Sequence, residues 1–211
     1  MGTDIHGFVE CRIWGPGLAP DETAWQAAVE LSLLGMTRDY EGFACLFGVR
    51  DFGGRWRPVA AGRGLPADVS PTARAEHASW GAAAFGATWL GWDEVVEVDW
   101  DEPALPRATH ISRYRRRADG GLDLLHRHDW SRGFARASGV DTLTVEPDRV
   151  AELWEEGTEW DVGTTVFRAE RERRRDAVPA DGPWEPVWTV MRALAGVHGG
   201  GGVRLVVWFE E

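Results

Sequence analysis

Thr3-Asp4-Ile5-His6-Gly7-Phe8-Val9-Glu10 is the stretch on which the fold of this chain turns. Asp4, His6, Phe8 and Glu10 alternate with Ile5, Gly7, Val9 and Cys11. A strand repeats every two residues, so the two sets fall on opposite faces. One face is small and apolar and belongs against a core. The other carries a carboxylate, an imidazole, an aromatic ring and a second carboxylate, the residue types of a binding site.

Composition limits what that site serves. The 211 residues hold 44% hydrophobic side chains, enough for a real core, and the length fits one domain. With 34 acidic and 23 basic residues the net charge is −11, which disfavours nucleic acid and anionic membranes as partners. The chain contains neither lysine nor asparagine, as a GC-rich coding sequence would produce. Any anion site must therefore use arginine forks or backbone N–H groups. No apolar run approaches a membrane span and no secretory leader opens the chain, so a cytoplasmic protein with reduced Cys11 and Cys45 is expected.

Along the chain, Gly15-Pro16-Gly17 breaks the first strand. A helix is expected from Pro20-Asp21, with Trp25, Ala28, Val29 and Leu33 at helical spacing and Gly35 as its stop. Arg38 to Arg50 is a core segment flanked by arginines, followed by a long loop through Asp68. Ser70-Pro71 predicts an N-cap and first helical residue, opening a helix that carries Glu76, His77 and Trp80. A short strand at Thr88-Trp89-Leu90 precedes a helix at Trp92 to Val98. Residues 109–130 form a protruding hairpin about Ala118-Asp119-Gly120-Gly121, with His126 and His128 on its surface. Glu146-Pro147 opens a helix burying Val150, Leu153 and Trp154, and Glu159 to Ala169 reads as one strand kinked at Gly163. The run 171–175 is a salt-bridged surface loop. A last helix buries Trp184, Val187, Trp188, Met191 and Leu194 and ends at Gly196, before a glycine turn and the strand Val203 to Phe209. The expected fold is α+β: a single domain over 1–211, its mixed and mainly antiparallel sheet containing both termini, with helices mainly on one face.

Two short motifs admit a second reading. Asp-x-His-Gly is similar to the first motif of metal-dependent phosphoesterases, but no second Gly-Asp or Gly-Asn-His ligand motif follows, which excludes that family. Asp4-Ile5-His6, the block Arg38 to Asp51, Gly64-Leu65-Pro66-Ala67-Asp68-Val69-Ser70, Trp89-Leu90 and the terminal Val203-Arg204-Leu205-Val206-Val207-Trp208-Phe209 together resemble an uncharacterised family of phage and actinobacterial proteins. That resemblance implies no activity. It also implies a His-Ser-x-Ser-Trp segment where this chain has Phe85-Gly86-Ala87-Thr88-Trp89, a departure that weighs against a metal enzyme.

The expected function is binding of a small molecule, nucleotide-like or otherwise anionic, with phage-type sequestration as its setting. The expected ligand-binding residues are Asp4, His6, Glu10, Arg38, Tyr40, Arg50, Asp68 and Trp89, with no cofactor. The alternative is a divalent-metal hydrolase on Asp4 and His6, joined by Glu76, His77 or His198. A third possibility is a protein-interaction module built on the 13 tryptophans. The sequence leaves open whether the protein is an enzyme, and its oligomeric state.

Overall fold

The opening stretch is strand β1 (Asp4–Ile13), and it lies antiparallel to the C-terminal strand β8 (Val203–Glu210). A computed structural model describes residues 2–13 and 23–211 of the chain. Between the two terminal strands come β2 (Ala24–Glu30), α1 (Tyr40–Phe47), α2 (Pro71–Trp80), β3 (Phe85–Gly91) and α3 (Trp92–Glu97). Then follow β4 (His110–Arg116), β5 (Leu122–His126), α4 (Arg132–Ser138), α5 (Val150–Leu153), β6 (Glu159–Val162), β7 (Thr165–Glu170), α6 (Arg174–Ala177) and α7 (Glu185–His198). The fold is α+β, with both termini in one antiparallel sheet. The chain forms two compact units: Met1–Trp100 together with Arg174–Glu211, and Asp101–Arg173.

The first unit is a sheet of order β2-β1-β8-β3. β8 is buried in all but its last residue and β1 is buried from Gly7 to Cys11, as strands covered on both faces must be. Ile5, Gly7 and Val9 share a face with Phe209, Val207 and Leu205. Phe43 and Phe47 of α1 meet Phe209 edge-on at 5.1 Å and tilted at 5.8 Å, and Trp184 beside α7 packs on Phe47 at 5.8 Å. Gly7 is required here: its φ is +144°, and a Cβ would stand 2.0 Å from the carbonyl oxygen of Val206. The opposite face holds Phe8, Val206 and Trp208 against Val69 and Ala73 of the α2 region. Ser70 caps α2 through its hydroxyl, which accepts from the Ala73 N–H at 3.2 Å, with Pro71 at the first helical position.

On that second face a charged pair is sealed into the sheet. Glu10 is 0% exposed and Arg204 5%. One Glu10 oxygen accepts from Arg204 Nε and the other from the Ser70 N–H, both at 2.9 Å. Arg204 also donates to Asp68 Oδ1 at 2.8 Å and to the Asp68 carbonyl at 3.1 Å, and lies 3.8 Å from the Trp25 ring centre. Each nitrogen of this buried guanidinium thus donates to a partner, the condition for tolerating charge in low dielectric.

The second unit is a sheet of order β5-β4-β7-β6, with Ile111, Phe134, Val150, Phe167 and Ala169 as its core. Trp130, Trp154 and Trp160 pack around that core. At its rim His110 is buried, with the His128 ring tilted against it at 4.1 Å. Burial, together with the charge that His128 would carry, pushes His110 down to about 4. Tyr114, half-buried and hydrogen-bonded to Glu170 at 2.7 Å, is pushed up to about 12.

Several local expectations change in the folded chain. Trp25, Ala28 and Val29 belong to a strand, not a helix, because β2 pairs with the free edge of β1 and edge pairing overrides an ambiguous apolar spacing. The expected break at Gly15-Pro16-Gly17 and start at Pro20-Asp21 lie outside the described residues. Glu159 to Ala169 is a hairpin, since Val162 pairs with Thr165 and Gly163 turns the chain at φ 61°. Leu153 is exposed, as α5 has only four residues and points Val150 inward instead. Helix α7 runs past Gly196 to His198, where Gly199 ends it at φ 78°. Arg174 of the arginine run is buried, while Arg171 and Arg173 share Glu156 as expected of a salt-bridged segment.

Two outcomes test these assignments. Replacing Glu10 by Ala leaves a buried guanidinium half-paired and should cost about 3–5 kcal/mol in urea titration, whereas Glu10→Leu with Arg204→Met should recover most of it. A single-variant loss under about 0.5 kcal/mol would show that the pair does not hold the sheet. Because the folded-state value for His110 is below the ordinary imidazole value of 6.5, the unfolded chain takes the proton first as pH falls. Stability should be full above pH 6.5 and drop by about 3 kcal/mol toward pH 4, and His110→Phe should remove that part of the slope.

Candidate functional site

The polar row of β1 lies on one face as its alternation predicts, yet it does not converge. Asp4 and Glu10 are six residue steps apart along the strand, about 20 Å at the strand rise. The row therefore serves three places.

At the first, both oxygens of Asp4 are taken by Arg38, at 2.9 and 2.8 Å. That fork holds the Asp4 carboxyl below the usual range. Arg50 donates to Thr3 Oγ1 at 2.6 Å and pairs with Glu211 at 2.7 Å, while Tyr40 OH accepts from the Thr3 N–H at 3.1 Å. Asp4, Arg38, Tyr40 and Arg50 thus form a clasp that fastens the outer ends of β1 and β8 to the start of α1. At the second place, His6 is covered by Trp80 at 4.2 Å and Trp208 at 6.5 Å, with Glu210 at 4.0 Å. None of His6, Arg38 and Arg50 lines either of the two hollows described below. Glu76 lies close enough to feel His6, but burial dominates and raises its carboxyl. Among the described residues no group of three His, Cys, Asp or Glu is placed to hold a metal ion.

The third place is a cleft of ≈ 610 Å³ at the Glu10 end of the sheet. Its aromatic walls are Trp25 of β2 and Trp89 of β3, carried on the two edge strands of the sheet. Arg204 and Arg12 lie over the Trp25 ring at 3.8 and 4.9 Å, and Arg63 lies over Trp89 at 4.9 Å. Gly91, Gly200, Gly201 and the segment Leu65 to Asp68 complete the lining, with Asp93 and Glu94 from α3. The three arginines differ in freedom. Arg204 is locked by Glu10 and Asp68, and Arg63 by a two-pronged pair with Glu94 at 2.9 and 2.8 Å. Arg12 reaches Asp68 only at 3.6 Å and keeps 46% of its side chain exposed. Desolvation opposes ionisation of Asp68, but hydrogen bonds from Arg204 and Trp25 outweigh it and hold the carboxyl low. The Arg63 fork does the same for Glu94.

Of the residues expected from sequence, Asp68 and Trp89 line this cleft, and Glu10 supports it from below through Arg204. Asp4, His6, Arg38, Tyr40 and Arg50 stand elsewhere. Arg12, Trp25, Arg63, Asp93 and Arg204 went unrecognised. One signal for Arg204 was present: it is the lone charge in the apolar run 203–209, as Glu10 is within Phe8-Val9-Glu10-Cys11, and such charges need each other.

A second hollow, of ≈ 450 Å³, lies between α3 and α7 with Trp92, Trp100 and Trp188 on its walls. Its charged groups Arg175, Glu185 and Arg192 are all exposed, so it lacks the fixed polar floor of the first. No helix among the described residues is long and apolar enough to cross a membrane. No family model, curated protein or solved structure matches the chain.

The clasp and the cleft should separate in experiment. Arg38→Ala removes a solvent-exposed pair and should lower the melting temperature only slightly, leaving any ligand affinity of the cleft unchanged. A loss of ligand binding in this variant would join the two places after all.

Proposed function

We propose that this protein binds a flat, charged small molecule of the nucleotide kind in the cleft between Trp25 and Trp89. The observation that carries the reading is the preformed floor: a guanidinium buried by two carboxylates and stacked at 3.8 Å on one of the two indoles that line the cleft. Rings held on paired edge strands offer stacking area that loses little entropy on binding. Arg12, the loosest of the three cations, is the group that can turn from Asp68 to an anionic substituent. Asp68 and Glu94 are held ionised by their arginines, which suits them to fixing charge rather than to passing protons at neutral pH. This favours a binder, with sequestration of a nucleotide-like signal as its setting, over a hydrolase. The hydrolase centred on Asp4 is further disfavoured because Arg38 occupies both of its oxygens.

A thermal-shift panel of nucleoside mono-, di- and triphosphates tests the reading. A ligand at a hundred times its Kd should add about 2.7 kcal/mol of stability. Arg12→Gln and Trp89→Ala should each weaken that shift while folding normally. A flat response across the panel, or a shift that neither variant alters, would overturn it.

A further inference from the structure

Resting on that cleft as the ligand site, we infer that the ligand presents two neighbouring N–H donors to Asp93, the edge shared by guanine nucleotides and pterins, and its acidic group to Arg12. The cleft's acids are not equivalent. Both Glu10 oxygens accept hydrogen bonds, from Ser70 N–H and Arg204. Asp68 receives Arg204 on one oxygen and the Trp25 indole N–H on the other, at 2.8 and 2.9 Å. Glu94 is forked to Arg63 and also accepts from the Gly91 N–H at 2.9 Å. Among the described residues, Asp93 is the acid of the cleft that carries no arginine.

The glycine turn after α7 explains where that carboxylate sits. A Cβ on Gly200 would fall 1.7 Å from Asp93 Oδ1, and one on Gly201 would fall 3.5 Å from Oδ2. Any side chain at 200 would push the carboxylate away, so the bare backbone keeps its seat beside α3. The tetraglycine 199–202 is thus more than a reversal of the chain.

An ionised carboxylate only accepts, and its two oxygens match two parallel N–H bonds. The 2-amino-4-oxo ring edge supplies such a pair from its ring N–H and exocyclic amine. Adenine sets an amine beside a ring nitrogen lone pair, which the second oxygen would repel. Sites that read polar edges in this way discriminate far more sharply than apolar pockets.

Calorimetric titration of the full chain with GMP, AMP, XMP and pterin-6-carboxylate tests the assignment. GMP or the pterin should bind about tenfold to hundredfold more tightly than AMP, the range of a hydrogen bond to a charged group. Whichever of the two is preferred identifies the source of the edge. Asp93→Asn should lose that preference and gain affinity for XMP, because an amide offers one acceptor and one donor to xanthine. Gly200→Ala should weaken GMP or the pterin by displacing the Asp93 carboxylate, with Asp93 itself not substituted. Equal affinity for GMP and AMP, dependent on Arg12 but indifferent to Asp93→Asn, would overturn the edge assignment and leave the cleft standing as a ligand site. Absence of binding by all four probes would overturn both.

Discussion

A carboxylate and a guanidinium buried in the middle of a sheet set the terms for the rest of this structure. Glu10 and Arg204 come from strands at opposite ends of the chain and face each other across the β1–β8 pairing. Taking two ions out of water is unfavourable unless each finds full hydrogen bonding. The pair therefore conscripts its surroundings: Ser70 N–H at the start of α2, both the carboxylate and the carbonyl of Asp68, and the face of Trp25. The loop before α2 and the edge strand β2 are thereby pinned to the centre of the sheet. An ion pair of this kind adds little net stability over apolar packing. What it adds is register, since a slip of either strand by one residue would turn its charge to the face packed by Phe43 and leave the partner charge buried alone.

The same pair gives the cleft its floor. A guanidinium that must stay against Trp25 to remain satisfied is a fixed positive plate beside a ring, and Arg63 over Trp89 repeats the arrangement on the other wall. Stability and recognition are served by the same contacts at this end of the sheet. At the other end, Asp4, Arg38, Arg50 and Glu211 spend their charge on one another and tie down the terminal strands.

Much of the architecture was legible in the chain. Alternation in 4–11 and the β-rich run 203–209 marked the two strands that become the centre of the sheet. Ser70-Pro71 marked a helix start, and Asp119-Gly120-Gly121 a hairpin that forms between β4 and β5. The site was half legible. Asp68 and Trp89 were found because they stand in an irregular loop and a short strand rich in recognition residues, whereas Trp25 was hidden by a spacing that fits helix and strand alike. Arg12 and Arg63 carried no local pattern. Their importance comes from lying over rings that are distant in sequence.

By itself, then, the sequence determined the faces: period-two alternation dictates which side chains of β1 share a side, and local turn chemistry dictates where helices and hairpins begin. It could not determine distance. A strand advances about 3.3 Å with each residue, so side chains on one face can serve separate sites along its length. Which of them met a partner was decided by tertiary pairing. Asp4 met Arg38, His6 met Trp80, and Glu10 met Arg204, because antiparallel register and the packing of α2 brought those groups within reach and left Asp93 open beside the glycine turn.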